Sequence, residues 1–211
     1  MNKDAILNAL KTRYATKVYD TTKKLTDEQL HTILEAGRLS PSAYGVESWQ
    51  FIVVNNEELR KKLRAASYDQ SKVTDASHIV VIASRTDTTP VVDELIARTA
   101  KTQGKSVEDL KEFSDMVHGA VNRLGEENTK TWYKNQSYIP LGVMIETAAL
   151  LGVDSGPMEG FDAAQVDEVL GLKEKNLSVA TMLALGFRGE DDYAKLPKTR
   201  KDFDTVVTVL N

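Results

Sequence analysis

The 211-residue sequence contains no cysteine, and that single absence excludes disulfides, thiolate nucleophiles and thiolate-ligated metals together. Histidine is nearly as scarce. His31, His78 and His118 stand far apart with no HExxH-type spacing, so no metal centre is expected. A surplus of positive charge is missing too, because 31 acidic against 27 basic side chains leave a net charge of −4. Binding nucleic acid over a broad face needs a basic excess, so that class is set aside. No window approaches the ~20 apolar residues of a membrane span, and residues 1–14 lack the apolar stretch of a secretory signal. The expectation is a cytoplasmic protein with no membrane partner. GxGxxG, GxxxxGK[ST] and GxSxG are all absent, and no pair of acids at a shared site can be read. Dinucleotide-type Rossmann binding, nucleoside triphosphate hydrolysis and esterase chemistry therefore have no support.

What is present is a chain with 41% hydrophobic residues, enough for a substantial core, and with no repeat or linker, which predicts one domain over 1–211. Ala5, Ile6, Ala9 and Leu10 fall at helical spacing and predict a helix over 3–12. Thr26 with Gln29 forms a capping-box pattern ahead of Leu30, Ile33 and Leu34, and Ser40-Pro41 closes that helix. Asn55 with Glu58 predicts a second capped start. Helical patterns follow over 90–101 and 106–128, broken at Gly104, and a long apolar helix over 132–151 is expected to kink at Pro140. Asp162 and Gln165 cap a further helix that stops at Gly171. Three apolar runs, Trp49–Val54, His78–Ser84 and Leu177–Phe187, read as buried strands. The closing TVVTVL, 205–210, is β-branched and wants a sheet edge, either its own or a partner's. Strands separated by helices predict an α/β or α+β sandwich with helices on both faces.

Four segments carry candidate chemistry. In RYATKVYD, an extended backbone would send Arg13, Ala15 and Lys17 to one side. LPKTRKD holds Lys198, Arg200 and Lys201, a second basic cluster that could meet the first around one anion. LSPSAYGVESW offers Ser42, Tyr44, Gly45 and Ser48 in a loop before a strand, as consistent with a plain turn as with a ligand loop. GVDSGPMEGFD sets Gly156, Pro157 and Gly160 where main-chain amides could face a ligand, or where a connector simply turns. Lys72 alone reads as a surface lysine. The residues by themselves thus lead to an α/β protein with an anion-binding cleft.

Taken in order, RYATKVYD (13–20), SPSAYGVESW (40–49), KVTDASHIVV (72–81), GVDSGPMEGFD (152–162), GLKEK (171–175) and LPKTR (196–200) resemble the FMN-dependent nitroreductase family. The resemblance is to its oxygen-insensitive NAD(P)H nitroreductase and dihydropteridine reductase-like branch, and it spans nearly the whole chain. It implies an α+β sandwich with a central, mostly antiparallel sheet flanked by helices. It also implies a homodimer that exchanges its C-terminal strands and holds FMN in the interface.

The same resemblance assigns roles. Arg13, Lys198 and Arg200 would grip the 5′-phosphate; Lys17 and Lys72 would face the pyrimidine edge, where two-electron reduction places negative charge. Tyr14, Ala15, Asp69 and Gln136 join the cofactor set. Pro157 and Met158 would cover one ring face, with the amides of Glu159 and Gly160 reaching N5 and O4. Pro41, Ser42, Ala43 and Gly45 would come from the other subunit, and Tyr68 and Phe113 would wall the open face for substrate. The implied activity is ping-pong hydride transfer from NADH or NADPH to nitroaromatics, quinones or related oxidants, tuned by Lys17 and the Glu159 backbone, with no protein acid or base required. The alternatives are a narrower flavin, dihydropteridine or enone reductase, or a flavin-binding sensor without turnover. Family members commonly carry Ser at the position of Ala15, Asn at Gly45, Gln-Pro at Glu47-Ser48 and Asn at Asp69. These changes remove side-chain donors.

Overall fold

The computed structural model describes residues 3–192 and 196–210. In chain order the elements are α1 (Lys3–Thr12), α2 (Asp27–Arg38), β1 (Trp49–Val54), α3 (Glu57–Ala66), the one-turn α4 (Lys72–Asp75), β2 (His78–Arg85) and α5 (Thr88–Gln103). There follow α6 (Lys111–Leu124), α7 (Glu126–Gln136), α8 (Tyr138–Leu150), β3 (Asp154–Met158), α9 (Ala163–Leu170), β4 (Leu177–Gly186) and the short α10 (Phe203–Val206). The strands form one four-stranded sheet in the order β1-β2-β4-β3, with every neighbouring pair antiparallel.

Alternation along the two central strands decides the layers. Ile79, Val81 and Ala83 of β2 and Met182 and Ala184 of β4 pack with Leu63 of α3 and Val166 of α9. Val80, Ile82, Leu183 and Leu185 point the other way, onto Ile33 of α2 and Leu141, Met144 and Ala148 of α8. Both faces are covered, which is why these strands read as unbroken apolar runs. A bulge opposite Ile82 and Ala83 shifts the register of β4, so Leu177 and Val179 share a face with Met182 despite the odd spacing. A third cluster, away from the sheet, joins Val92 and Leu95 of α5, Val117 and Val121 of α6, and Tyr133 of α7 to Val46.

Local signals placed several ends. Both halves of the Thr26 and Gln29 capping box form, and Asp162 caps α9 before left-handed Gly171 ends it. Others moved. The cap of α3 is Asn56, not Asn55, with its side chain accepting from Leu59 N at 2.9 Å. The expected 132–151 helix is instead two helices that part at Ser137, because Pro140 lacks an N–H and its ring would crowd the carbonyl of Gln136 in a continuous helix. Pro140 thus sits in the first turn of α8, where it is tolerated. The expected 106–128 helix is divided too, at Gly125, whose φ of +74° suits glycine.

The GVDSGPMEGFD segment, expected as a loop, begins with strand β3. Pro157 is permitted because β3 is the sheet edge, paired on one side with β4. On its other side runs the 13–20 segment: Ala15 bridges Ser155 in parallel, and Thr16 N donates to Ser155 O at 3.1 Å. The approach is tight. A Cβ on Gly156 would lie 2.7 Å from Thr16 O, and one on Gly186 would lie 2.6 Å from the Tyr19 ring. Buried Tyr19 donates its hydroxyl to Ala184 O at 3.1 Å, and Asp192 accepts from the amides of Lys17 and Val18 at 2.7 and 2.8 Å. The TVVTVL stretch does not rejoin the chain's own sheet: it begins in α10 and continues exposed through 207–210. Gly156→Ala is expected to destabilise the protein by about 1–3 kcal/mol, since backbone rather than a flexible side chain must yield. A urea midpoint unchanged from wild type would contradict that packing.

Candidate functional site

The crossing of 13–19 over β3 sets the position of the first basic cluster. Arg13, just after α1, is half-buried, and its Nε is enclosed with no hydrogen-bond partner. Its pKa is lowered first by burial and then by Arg200, which comes from the far end of the chain. Lys198 is lowered in the same sense by burial, Arg13 and Arg200. The two basic segments therefore do meet. Their occupations differ, however. The Lys198 ammonium donates to Leu10 O at 2.5 Å and Arg13 O at 2.7 Å, with Lys11 O at 3.4 Å, so it closes the carbonyl end of α1. Arg200 is exposed and, among the described residues, bonds through its side chain only to Thr199 O, leaving most of its fork available there. Leu7, Leu10, Lys11, Lys198 and Arg200 line a cavity of about 400 Å³.

A second pair of cations forms where Lys17, further along the same segment, meets Lys72. Lys72 on α4 is only 4% exposed, and burial followed by the nearby Lys17 charge pushes its pKa down to about 8. Among the described residues, none of Arg13, Lys17, Lys72, Lys198 or Arg200 reaches a carboxylate within ion-pair distance. Five uncompensated cations in an acidic chain are costly to assemble, and three of them, Arg13, Lys72 and Lys198, lose basicity for it.

The turn after β3 is pinned by its carbonyls and side chains. Thr181 Oγ1 donates to Met158 O at 2.9 Å, Gln70 Nε2 to Gly160 O at 2.6 Å, and Phe161 N to Glu159 O at 3.0 Å. Tyr138, at the start of α8, donates a short hydrogen bond to the Glu159 carboxylate; burial and that neighbour push the phenol up to about 12. The amides of Glu159 and Gly160 are left with no acceptor among the described residues. Met158 is buried and Pro157 half-buried beside them. Tyr68 and Asp69 occupy a left-handed turn that Gln70 ties to Gly160; Tyr68 is exposed, and Asp69 accepts from Arg64 at 2.7 Å.

The remaining expected residues form a separate group. Ala43 N donates to the buried Gln136 Oε1 at 2.9 Å, and Glu47 N to Ser42 Oγ at 2.9 Å. Phe113 lines a cavity of about 620 Å³ with Tyr44, Gly45, Leu95 and Arg98. No hydrogen bond or ion pair among the described residues joins this group to the first. Tyr68 and Phe113, expected to share one face, thus fall in different groups of the single chain. Tyr138, Gln70, Thr181 and Arg98 were not singled out from sequence, because their partners lie tens of positions away and carry no spacing signal. A further cavity of about 560 Å³ is lined by Lys24, Asp27, Glu57, Arg60, Lys61 and His78. Its charges are mixed, and Arg60 spends its donors on the carbonyls of Val73, Ala76 and Ser77, which makes it structural. Among the described residues no cluster of His, Asp or Glu could hold a metal ion, and no helix is long and apolar enough to cross a membrane.

The first group can hold a ligand that is anionic at one end and rich in acceptors at the other. Comparison with known proteins gives this arrangement a context. Residues 10–187 match the profile of the Nitroreductase family. A Staphylococcus epidermidis protein, provisionally named an NAD(P)H nitroreductase, is 39% identical over 215 aligned positions that cover 96% of each chain. Among solved structures, a Bacillus subtilis protein assigned as a nitroreductase aligns with a TM-score of 0.87 at 19% identity, over 99% of this chain and 100% of that one. One from Exiguobacterium sibiricum, assigned likewise and solved in complex with FMN, gives 0.81 at 21% identity over 97% of both chains. The profile spans the segments that carry Arg13, Lys17, Lys72 and the pinned turn, and the relatives cover nearly the whole chain: the chain belongs to the nitroreductase family.

Proposed function

We propose that this protein is an FMN-dependent NAD(P)H oxidoreductase that reduces small oxidants such as nitroaromatics and quinones. The observation that carries this reading is a set of cations with no carboxylate in ion-pair distance among the described residues, Arg13 and Lys17 on one segment, Arg200 beside the first and Lys72 beside the second, together with two amides that find no acceptor there. A flavin mononucleotide suits that set, because it joins a phosphate to a ring whose pyrimidine edge is electron-rich and whose N5 and O4 accept hydrogen bonds. When bound, FMN supplies reversible two-electron chemistry, with NADH or NADPH as donor.

The chain's own residues divide the remaining work. Arg13 and Arg200 bind the phosphate with charge-assisted bonds, and Lys198 holds the end of α1 so that Arg13 is presented there. Lys17 and Lys72 stabilise negative charge at the ring edge. The Glu159 and Gly160 amides orient the ring, Pro157 and Met158 cover one face, and the Tyr138 and Gln70 bonds keep those amides in place. Positioning and electrostatics then supply the catalysis without a protein acid or base.

A second copy of the chain completes the site. The loop 41–45, Gln136 and Phe113 make no bond to the first group, so each chain offers two unlike halves. Phe203, Val209 and Leu210 are 72%, 74% and 91% exposed, so much of this apolar, β-branched arm is left uncovered by its own chain. We assign it to a partner's sheet, with Pro41, Ser42, Ala43 and Gly45 facing the partner's flavin and Tyr68 and Phe113 bounding the substrate space.

Anaerobic titration of the FMN-loaded protein tests the activity. Absorbance at about 450 nm should bleach with NADH or NADPH and return on adding a nitroaromatic or a quinone; a flavin that stays oxidised would leave only a binding protein. Arg200→Ala should weaken FMN by about 10–100-fold while leaving riboflavin, which lacks the phosphate, nearly unaffected. Retention of wild-type FMN affinity would remove Arg200 from the phosphate site. For Lys72, an electron-rich neighbour restores the basicity that burial and Lys17 take away, so binding draws in a proton wherever free Lys72 is neutral. FMN affinity is therefore expected to be highest below about pH 8 and to fall as pH rises through that value. Lys72→Met should flatten the profile, and an unchanged slope would refute the assignment.

A further inference from the structure

Loop 42–48 is strained where it turns. Tyr44, Gly45 and Glu47 take φ values of +57°, +78° and +44°. Glycine does so freely, but Tyr44 and Glu47 have β-carbons and hold a left-handed shape only where their surroundings impose it. The base of the loop is anchored by neutral contacts: Glu47 N to Ser42 Oγ, Ala43 N to Gln136 Oε1, and Ser48 Oγ to Tyr133 O at 3.3 Å. Among the described residues, one charged side chain reaches the crown at bonding distance. Arg98 Nη2 donates to Gly45 O at 2.9 Å and lies 3.5 Å from the Glu47 carboxylate. Arg98 shares a face of α5 with Leu95, Thr99 and Thr102, all lining the cavity that also contains Tyr44, Gly45 and Phe113. Gly45, Glu47 and Ser48 are positions at which the resembling proteins commonly carry other residues, and here two of them make side-chain contacts that the structure uses.

We propose that Arg98 is a positioning residue: it clamps the crown of loop 42–48 in its left-handed form and so presents the Ser42–Gly45 backbone to the flavin of a second copy. The clamp stands on the contacts above, and its effect on flavin rests on the proposed function. A guanidinium suits the task because its fork reaches a carbonyl and a carboxylate at once, which a single hydrogen bond from a neutral side chain would not do.

The test uses the full-length protein with and without FMN. In flavin-free Arg98→Met, amide hydrogen exchange over residues 43–48 should quicken by roughly tenfold or more, with β2 and α2 unchanged. FMN affinity and the acceptor KM should worsen by about three- to tenfold with kcat nearly constant, and Arg98→Lys should recover most of the loss. Arg98 is close to half exposed, so the variant is expected to fold, and its thermal midpoint serves as the control. Unchanged exchange over 43–48 overturns the clamp. A loss of protection spread evenly along α5 overturns it as well, since that marks a helix-stabilising role. Faster exchange with unaltered FMN affinity leaves the clamp and refutes its link to the cofactor. Failure of wild type to take up FMN refutes that link too, through the proposed function, while the flavin-free exchange still judges the clamp.

Discussion

The crossing of residues 15–19 over the edge of β3 is the contact from which the site follows. It needs two glycines, because β-carbons at positions 156 and 186 would meet Thr16 O and the Tyr19 ring well inside van der Waals distance. The bond from Thr16 N to Ser155 O fixes its register, and Asp192 secures the next two amides. A parallel bridge at Ala15 and Ser155 then carries Lys17 along β3 toward the pinned turn while leaving Arg13 at the other end. Backbone geometry thus places the cations; among the described residues their side chains reach no carboxylate within ion-pair distance.

That arrangement works against the folded state in the absence of an anion. Burial and a like charge lower the basicity of Lys72, and the same two causes act on Arg13 and Lys198. For Lys72 the folded-state pKa lies below the unfolded one, so its unfavourable contribution is present at neutral pH and fades as pH rises between about 8 and 10.5. Strain of this kind is a form of preorganisation: the free energy invested in gathering the cations returns when an anion arrives. The left-handed crown of loop 42–48 is a second example, stored in dihedral angles rather than in charge.

Local chemistry in the sequence was a good guide to local structure. The Thr26 and Asp162 caps, the stop at Gly171 and the strands β1, β2 and β4 all depend on neighbours within a few positions, and the structure has each of them, with β1 at the sheet edge. β3 escaped because its proline and glycine are turn formers, and only its place at the sheet edge beside residues 15–19 makes it a strand. The break at Ser137 was displaced for a related reason: a proline's clash falls four residues back, not at the proline itself. In the site, the two basic segments were visible as clusters, yet no pattern could reveal that Lys198 is engaged with α1, or that Tyr138 and Gln70 secure the turn across the fold. Such partners belong to tertiary structure.

The clasp between Lys198 and the carbonyls of Leu10 and Arg13 has a consequence during synthesis. The lysine that seals α1 bonds to carbonyls 188 and 185 positions before it, so α1 leaves the exit tunnel long before its clasp does. Sheet and helices can assemble vectorially as they emerge, in the usual order of nascent chains. The basic cluster of residues 13, 198 and 200 cannot: a polypeptide stalled before residue 198 has its sheet strands and lacks that cluster.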